Sequence, residues 1–307
     1  MGKLYDCIII VSGPAGLTAA IYAARACLSV LVLEKEFVSG GQVVNTYEVD
    51  NYPGYLGISG FDLGMKFREH AEKLDVEFVM EAVERVDLEK EEKIIYTDQS
   101  EYHGRTVILA MGASHRKLEV RGEEDFSGMG VSYCATCDGA FFKGKTVAVV
   151  GGGDVAIEDA IFLSRGCEKV YLIHRRDQLR GAESLQRELF ARPNIEVIWD
   201  SKVTRILGED QVESVHLKNT KNGEKRNLPV EGLFVAVGVV PCTTLIKGQV
   251  ALDDFGYVKA MEDCVTNIPG VFAAGDLRTK PMKQIVTAVA DGANAVNSAR
   301  NYLTEKE

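Results

Sequence analysis

No apolar run in this 307-residue chain approaches the ~18 residues that a transmembrane helix needs. The first apolar stretch, in MGKLYDCIIIV, is too short for a signal-peptide core and follows an aspartate, so it reads as a strand. Gly2 raises N-myristoylation, but the sixth position is Asp6 rather than Ser or Thr, and that reading is set aside. Positive charge is in deficit: 35 Lys and Arg against 45 Asp and Glu give a net charge of −10. An acidic surface repels phosphate backbones and anionic lipid, so neither nucleic acid nor membrane is an expected partner. Cysteines are few: seven, an odd total, with one Cys-x-x-Cys at Cys134 and Cys137. That does not look like the framework of a small secreted fold. It points to the cytoplasm, where an isolated Cys-x-x-Cys serves redox chemistry or metal. Zinc needs four ligands, and five scattered histidines without a second Cys-x-x-Cys do not supply them, so no metal is expected. Cys7, Cys27 and Cys167 read as packing residues; Cys242 and Cys264, both compatible with exposure, are given no role.

What is present is a globular composition, 46% hydrophobic and 26% charged, in a chain long enough for two domains. One unit occurs twice. CIIIVSGPAGLTAAIYAARACLSVLVLEKE starts at Cys7, and VAVVGGGDVAIEDAIFLSRGCEKVYLIHRR starts at Val147. Each begins with a β-branched run, the signal of a buried parallel strand, turns through glycines into a helix of small residues, and ends in a second strand. Position 11 aligns with 151, 13 with 153, 16 with 156 and 34 with 174, without a gap. These are two βαβ dinucleotide-binding units: the glycines let backbone approach a pyrophosphate, and the helix start faces it with the favourable end of its dipole. Glu34 ends the first unit and can accept hydrogen bonds from ribose hydroxyls. His174, Arg175 and Arg176 end the second, with Arg180 close behind, and cations there suit a 2′-phosphate, hence NADP rather than NAD.

A third signal lies near the C-terminus. GVFAAGD (270–276) reads as a strand ending in Gly275 and Asp276, followed by helical spacing from about Gln284. Asp276 can accept a hydrogen bond from a polyol, and the helix start favours the negative charge of a reduced flavin. The first unit therefore continues at the end of the chain, with the second inserted. The expected fold class is α/β: two Rossmann-like, three-layer dinucleotide-binding domains, the NADPH domain inserted into a split FAD domain. The expected boundaries are 1–115 and 245–307 for FAD and 116–244 for NADPH and the dithiol.

Ser12-Gly-Pro-Ala-Gly16, Gly40-Gly-Gln42, Asn51-Tyr-Pro-Gly54, Cys134-Ala-Thr-Cys-Asp138, Gly151-Gly-Gly-Asp154, His174-Arg-Arg176 and Ala274-Gly-Asp276 together resemble the low-molecular-weight thioredoxin reductases, end to end. The resemblance implies that FAD is held by Gly13, Pro14, Ala15, Gly16, Glu34, Lys35, Gly41, Gln42, Asn51, Val83, Gly112, Gly275, Asp276, Lys283, Gln284 and Ile285. It implies that NADPH is held by Gly151, Gly153, Asp154, Val155, Ala156, His174, Arg175, Arg176, Arg180 and Gly238. Hydride would pass from NADPH to FAD, then electrons to the Cys134–Cys137 disulfide and on to thioredoxin, with the central domain rotating between half-reactions. It further implies a homodimer and places Cys137 nearer the flavin. Asp138, beside the dithiol, is suited to move the proton each cycle requires.

Three positions depart from the family pattern. Val11 stands where the family has the turn glycine, and is strained if its φ is positive; weaker FAD retention with the fold intact is expected. Val155 replaces a common serine at the NADPH loop, and Lys283 a common arginine. Alternatives stay open: another donor such as ferredoxin, another dithiol partner such as a glutaredoxin-like protein, or a non-catalytic flavin- or nucleotide-binding module. The flavoprotein of the alkyl hydroperoxide system adds an N-terminal dithiol domain, and a chain opening on an FAD unit is expected not to be of that kind. His115, Arg116, Lys117 and Arg121 read equally as a docking patch or a solvated linker.

Overall fold

Alternation along the first strand sets the layers. In a computed structural model describing residues 3–46, 49 and 51–306, Cys7 and Ile9 face one core cluster while Ile8 and Ile10 face another, all at most 2% exposed. Successive strand side chains point to opposite faces, so a β-branched run buried on both sides is an interior parallel strand. Each such isoleucine contributes about 1.5–3 kcal/mol by leaving water. Met1 and Gly2, where myristoylation is weighed above, lie outside the described residues.

The chain runs through β1 (Leu4–Ile10), α1 (Pro14–Arg25), β2 (Val30–Leu33), α2 (Gly60–Glu72), β3 (Glu77–Val79), β4 (Val83–Asp87), β5 (Lys93–Thr97), β6 (Glu101–Leu109) and β7 (Ala113–His115). Then come β8 (Val131–Ser132), the short α3 (Ala135–Asp138), β9 (Thr146–Gly151), α4 (Asp154–Ser164), β10 (Lys169–Ile173), α5 (Glu183–Phe190) and β11 (Ile195–Ile198). It continues with β12 (Ser201–Gly208), β13 (Val212–Asn219), β14 (Lys225–Pro229), β15 (Gly232–Ala236), β16 (Val239–Pro241), β17 (Val271–Ala273) and α6 (Ile285–Lys306). Two compact units result, one of residues up to Ser114 with those from Val240 on, the other His115–Val239. The crossings fall at 114/115 and 239/240, where the sequence reading puts 115/116 and 244/245.

In the first unit the strand order is β3-β2-β1-β6-β5-β4, and β17 pairs in parallel with β6, so the end of the chain completes the sheet begun by its start. In the second, β11-β10-β9-β15-β8 is parallel throughout, with an antiparallel sheet of β12, β13 and β14 beside it. Val147 and Val149 of β9 face the α4 side, Ala148 and Val150 the side of β12 and β13.

Helix α1 starts with Gly13 as N-cap and Pro14 in its first turn, where a missing N–H costs nothing. Small residues at Ala15, Thr18 and Ala19 let α6 cross it closely: a Cβ on Gly292 would overlap the Ala15 carbonyl, while Gly16 lies against the Val11 carbonyl. At its C-terminus Leu28 N–H donates to Ala23 O and Cys27 N–H to Ala24 O, with Cys27 at φ 59°. This is a Schellman ending, in which Cys27 occupies the left-handed position. Cys27 is consequently exposed rather than a packing residue. Cys7 and Cys167 are buried, Cys242 is exposed, and Cys264 is buried with its thiol pushed up to about 12 by burial.

Candidate functional site

The two glycine loops enter their helices alike. Gly13 has φ −71° and ψ −178°, Gly153 φ −97° and ψ −177°, and each is the N-cap residue. A Cβ built on either would meet nothing within 4 Å, so both helix starts front open space that a ligand's phosphates can enter. The residue at the end of the second strand folds back to its loop in both. Glu34, 6% exposed, accepts from Ser12 N–H (2.9 Å) and Ser12 Oγ–H (2.8 Å) at Oε2, and from Glu36 N–H (3.0 Å) at Oε1. His174 Nδ1 donates to Gly151 O at 2.8 Å.

Around the first loop, residues far apart in sequence converge. Gly40 N–H donates to Ser12 O at 2.8 Å, and a Cβ on Gly41, at φ 60°, would stand 3.3 Å from Gly13 Cα. Gly275, at φ 85°, sits so close that its Cβ would lie 3.0 Å from that of Ala15, which brings Asp276 to the start of α1. Asp276 Oδ1 is buried and has no hydrogen-bond partner among the described residues. Burial raises the Asp276 carboxyl, against the pull of Lys280 and Lys283. Lys283 Nζ lies 3.9 Å over the Tyr257 ring and 3.4 Å from Asp276 O, and burial lowers its ammonium. Asn51 Nδ2 donates to Gln284 Oε1 at 2.9 Å, and Gln284 caps α6 through Ala288 N–H to its carbonyl at 3.0 Å, with Ile285 next. Gln42 and Lys35 are exposed, the latter 3.4 Å from Glu36, and Gly112 turns at φ 64°. Val83 packs in the cluster that also holds Val11. An unpaired buried acceptor, an open phosphate cradle and a capped helix start fit a dinucleotide with a polyol chain, as FAD has.

Val11 has φ 78°, the left-handed region, at a cost of about 1–2 kcal/mol for an L side chain. Gly151, its counterpart, does not take that conformation. The strain foreseen at this position is therefore present.

The second loop has a different rim. Arg175, Arg176 and Arg180 are exposed and form no ion pair among the described residues. Arg180 N–H donates to Gly152 O at 2.7 Å, and Ala182 N–H to Asp154 Oδ1 at 2.7 Å, which straps this segment to the start of α4. Asp154 therefore anchors the strap. Ala156 is buried; a Cβ on Gly151 would clash with it and with Ala236 O. Val155 is 60% exposed, and Gly238 turns at φ 119° with open space beside it. His174 differs from the sequence reading: it is 4% exposed beneath Gly152, and burial lowers its imidazole toward the neutral form. The positive charge here comes from the arginines, while its buried Nε2, unpartnered among the described residues, is left as an acceptor. Open cradle, free guanidinium groups and unpaired acceptor fit a phosphorylated nucleotide such as NADPH.

Cys134 and Cys137 form a disulfide at the start of α3, with Cα atoms 5.3 Å apart. Cys134 N–H donates to Ser132 Oγ (3.1 Å), whose own hydroxyl donates to Asp138 Oδ2 (2.5 Å). Burial raises the Asp138 carboxyl, with Ser132 opposing. A raised carboxyl beside a disulfide is suited to hand a proton to a departing sulfur.

The chain matches the pyridine nucleotide-disulphide oxidoreductase family over residues 5–292. A thioredoxin reductase of Listeria innocua is 45% identical over 304 residues, covering 99% of this chain and 95% of that protein. The chain belongs to the thioredoxin reductases. The crystal structure of thioredoxin reductase from Streptococcus pyogenes is 44% identical, with a TM-score of 0.94 over 99% of this chain and 100% of that one. That of Lactococcus lactis thioredoxin reductase in its FR conformation, also 44% identical, gives 0.69 over 98% and 99%. This family of enzymes uses a flavin and a nicotinamide nucleotide, and the Cys134–Cys137 disulfide is present in this member. No helix among the described residues is long and apolar enough to cross a membrane.

Sequence reasoning missed one group. Asp291, Arg278 and Lys280 form a buried charge cluster behind the Gly275 turn, with side chains 2–3% exposed. The available signal was Ala290-Asp-Gly292, a charge on the small-residue face of a helix. The basic stretch after 114 is partly neutralised, since Lys117 pairs with Glu124 at 2.6 Å and burial lowers the imidazole of His115, which stacks on Tyr133.

Proposed function

We propose that the chain reduces the disulfide of thioredoxin with electrons from NADPH, through FAD held by the first unit. The observation that carries this reading is the Cys134–Cys137 disulfide, with a buried carboxyl beside it, in the same unit as an arginine-rimmed phosphate cradle. Gly13, Pro14, Ala15 and Gly16 would receive the FAD pyrophosphate, Glu34 its ribose, and Asp276 its polyol. Lys35, Gly41, Gln42, Asn51, Val83, Gly112, Gly275, Lys283, Gln284 and Ile285 complete that site. Gly151, Gly153, Asp154, Val155, Ala156 and Gly238 would line the NADPH cradle, with Arg175, Arg176 and Arg180 on the 2′-phosphate and His174 beneath the loop.

When bound, FAD supplies the link between a hydride from NADPH and the two electrons a disulfide takes up. On the protein's side, the Cys134–Cys137 bond opens as it gains two electrons, and Asp138 protonates one sulfur while the other stays a thiolate. That thiolate attacks the disulfide of thioredoxin and forms a mixed disulfide. The second cysteine gives up its proton to Asp138 and attacks the mixed disulfide. This displaces the second thioredoxin sulfur, restores the Cys134–Cys137 bond, and leaves thioredoxin a dithiol once its two displaced thiolates have taken protons from solvent. Dithiol and nicotinamide share the second unit and need the same flavin, so the units turn between half-reactions. Two relatives of equal identity with TM-scores of 0.94 and 0.69 support such a turn in the family. A cytoplasmic homodimer completes the reading; five free cysteines suit a reducing compartment, and sedimentation equilibrium at twice the chain mass checks the dimer.

An anaerobic titration tests the electron path. The visible flavin band should bleach with one equivalent of NADPH and return on adding oxidised thioredoxin. A protein that takes up no FAD, or a flavin unmoved by NADPH, refutes the path. Recovery with a glutaredoxin-like protein but not with thioredoxin refutes the substrate.

A further inference from the structure

The buried cluster behind the Gly275 turn contains more positive charge than its own carboxylate uses. Asp291 accepts four hydrogen bonds: from Arg278 Nη2 at Oδ1 (2.6 Å), and at Oδ2 from Gly275 N–H (2.8 Å), Arg278 Nε (2.9 Å) and Lys280 Nζ (3.0 Å). Arg278 alone binds both oxygens in the forked geometry that satisfies a carboxylate, and Arg278 further meets Glu262 Oε1 at 3.2 Å. Lys280 is thus a second cation at an anion already matched, with a side chain only 3% exposed. Its ammonium lies 3.7 Å from Asp276 Oδ1, the buried oxygen that has no hydrogen-bond partner among the described residues. Lys283, the other nearby cation, is turned to the Asp276 backbone carbonyl and the Tyr257 ring rather than to the carboxylate.

We infer that Lys280 is a positioning residue for the cofactor: anchored on Asp291, it keeps the Asp276 carboxylate charged and aimed so that Oδ1 can accept a hydroxyl of the cofactor's polyol chain. This rests on the reading of the first unit as an FAD site. A carboxyl taken out of water tends to the neutral acid, which has lost an acceptor and gained a donor. An ammonium at ion-pair distance opposes that. Burial does push Asp276 toward protonation, and Lys280 opposes it most strongly. Asp291 secures the other half of the geometry by holding Gly275 N–H, which fixes the left-handed turn that presents Asp276.

The test is FAD titration of the deflavinated full chain, read by quenching of flavin fluorescence, with thermal melts of the apo proteins alongside. Lys280→Met keeps the stem and leaves the Arg278–Asp291 pair whole. It should weaken FAD binding about tenfold, the scale of one charged hydrogen bond, while Lys280→Arg stays near wild type. In an Asp276→Asn background, Lys280→Met should change FAD affinity no further, because no carboxylate remains to be held charged. If Lys280→Met does not fold, Lys280→Gln, which can still donate to Asp291, takes its place in both backgrounds. Unchanged FAD affinity in the single variant, or an equal loss in the Asp276→Asn background, overturns the inference. Wild-type protein that binds no FAD refutes instead the reading on which it rests.

Discussion

Ala15 and Val155 occupy the same place in the two βαβ units, the second residue of the helix after the glycine loop, yet Ala15 is 4% exposed and Val155 60%. The difference is what lies above. In the first unit α6 and the Gly275 turn close over the start of α1, so closely that Gly292 and Gly275 leave no room for a side chain near Ala15. In the second, the Asp154-anchored strap runs beside the start of α4 and leaves Val155 exposed. Four positions further on both helices turn inward but with different chemistry: Ala19 is fully buried, while half-buried Asp159 keeps a carboxyl that burial, and then Glu158, raise to about 7. One local code has thus produced two cradles of different character. A covered loop with buried polar groups suits a ligand that stays; an open loop rimmed by unpaired arginines suits one that arrives and leaves with each turnover.

The sharpest break in the symmetry is the dithiol, which the first unit lacks. Cys137→Ser should lower thioredoxin reduction by more than about a thousandfold, because no second sulfur remains to resolve a mixed disulfide, while NADPH still bleaches the flavin. Activity retained with thioredoxin would place the chemistry elsewhere. Next in size is the nucleotide preference. Changing Arg175, Arg176 and Arg180 together to glutamine should raise the KM for NADPH about a hundredfold and leave that for NADH nearly unchanged. An equal loss for both would mean that the arginines do not read the 2′-phosphate.

Asp159→Ala makes the second helix match the first at the Ala19 position. A carboxyl whose folded pKa, about 7, lies above its ordinary 3.8 binds its proton more tightly in the folded state. The stability it lends is fully present below its ordinary value and is lost as pH rises through about 7. Urea melts should therefore find the variant more stable than wild type by about 2 kcal/mol at pH 8, with the gain vanishing toward pH 4. A pH-independent difference would trace instead to helix propensity. Smallest is Val11→Gly, which gives the first loop the glycine of the second. Relief of the left-handed strain, offset by the greater backbone freedom of glycine when unfolded, leaves a gain of about 1 kcal/mol. If the empty loop keeps its conformation, that gain appears as apo thermal stability; if the loop relaxes without ligand, it appears as several-fold tighter FAD binding. No change in either measurement removes Val11 as a cause of weak flavin retention.

Much of this was legible in the chain. The gapless register of 11 with 151 and 34 with 174 marked both βαβ units, since strand alternation, glycine spacing and helix starts are short-range properties. Cys134-Ala-Thr-Cys137 is four residues long, and its closure as a disulfide needs no distant partner. Even the trouble at Val11 was visible, because a β-branched residue at a turn position conflicts with its own backbone. Burial was not legible. Cys27 and Cys264 exchange the environments their surroundings in sequence suggest, because one ends a helix at the surface and the other lies under Asp291, 27 residues away. His174, next to two arginines, looks like a third cation, and packing beneath Gly152 favours its neutral form instead. Arg278, Lys280 and Asp291 carry no motif at all. Short-range patterning set where the two glycine loops and the dithiol stand along the chain. The tertiary structure alone decided which loop is covered and which charges are buried together, because desolvation and ion pairing depend on neighbours that only long-range folding supplies.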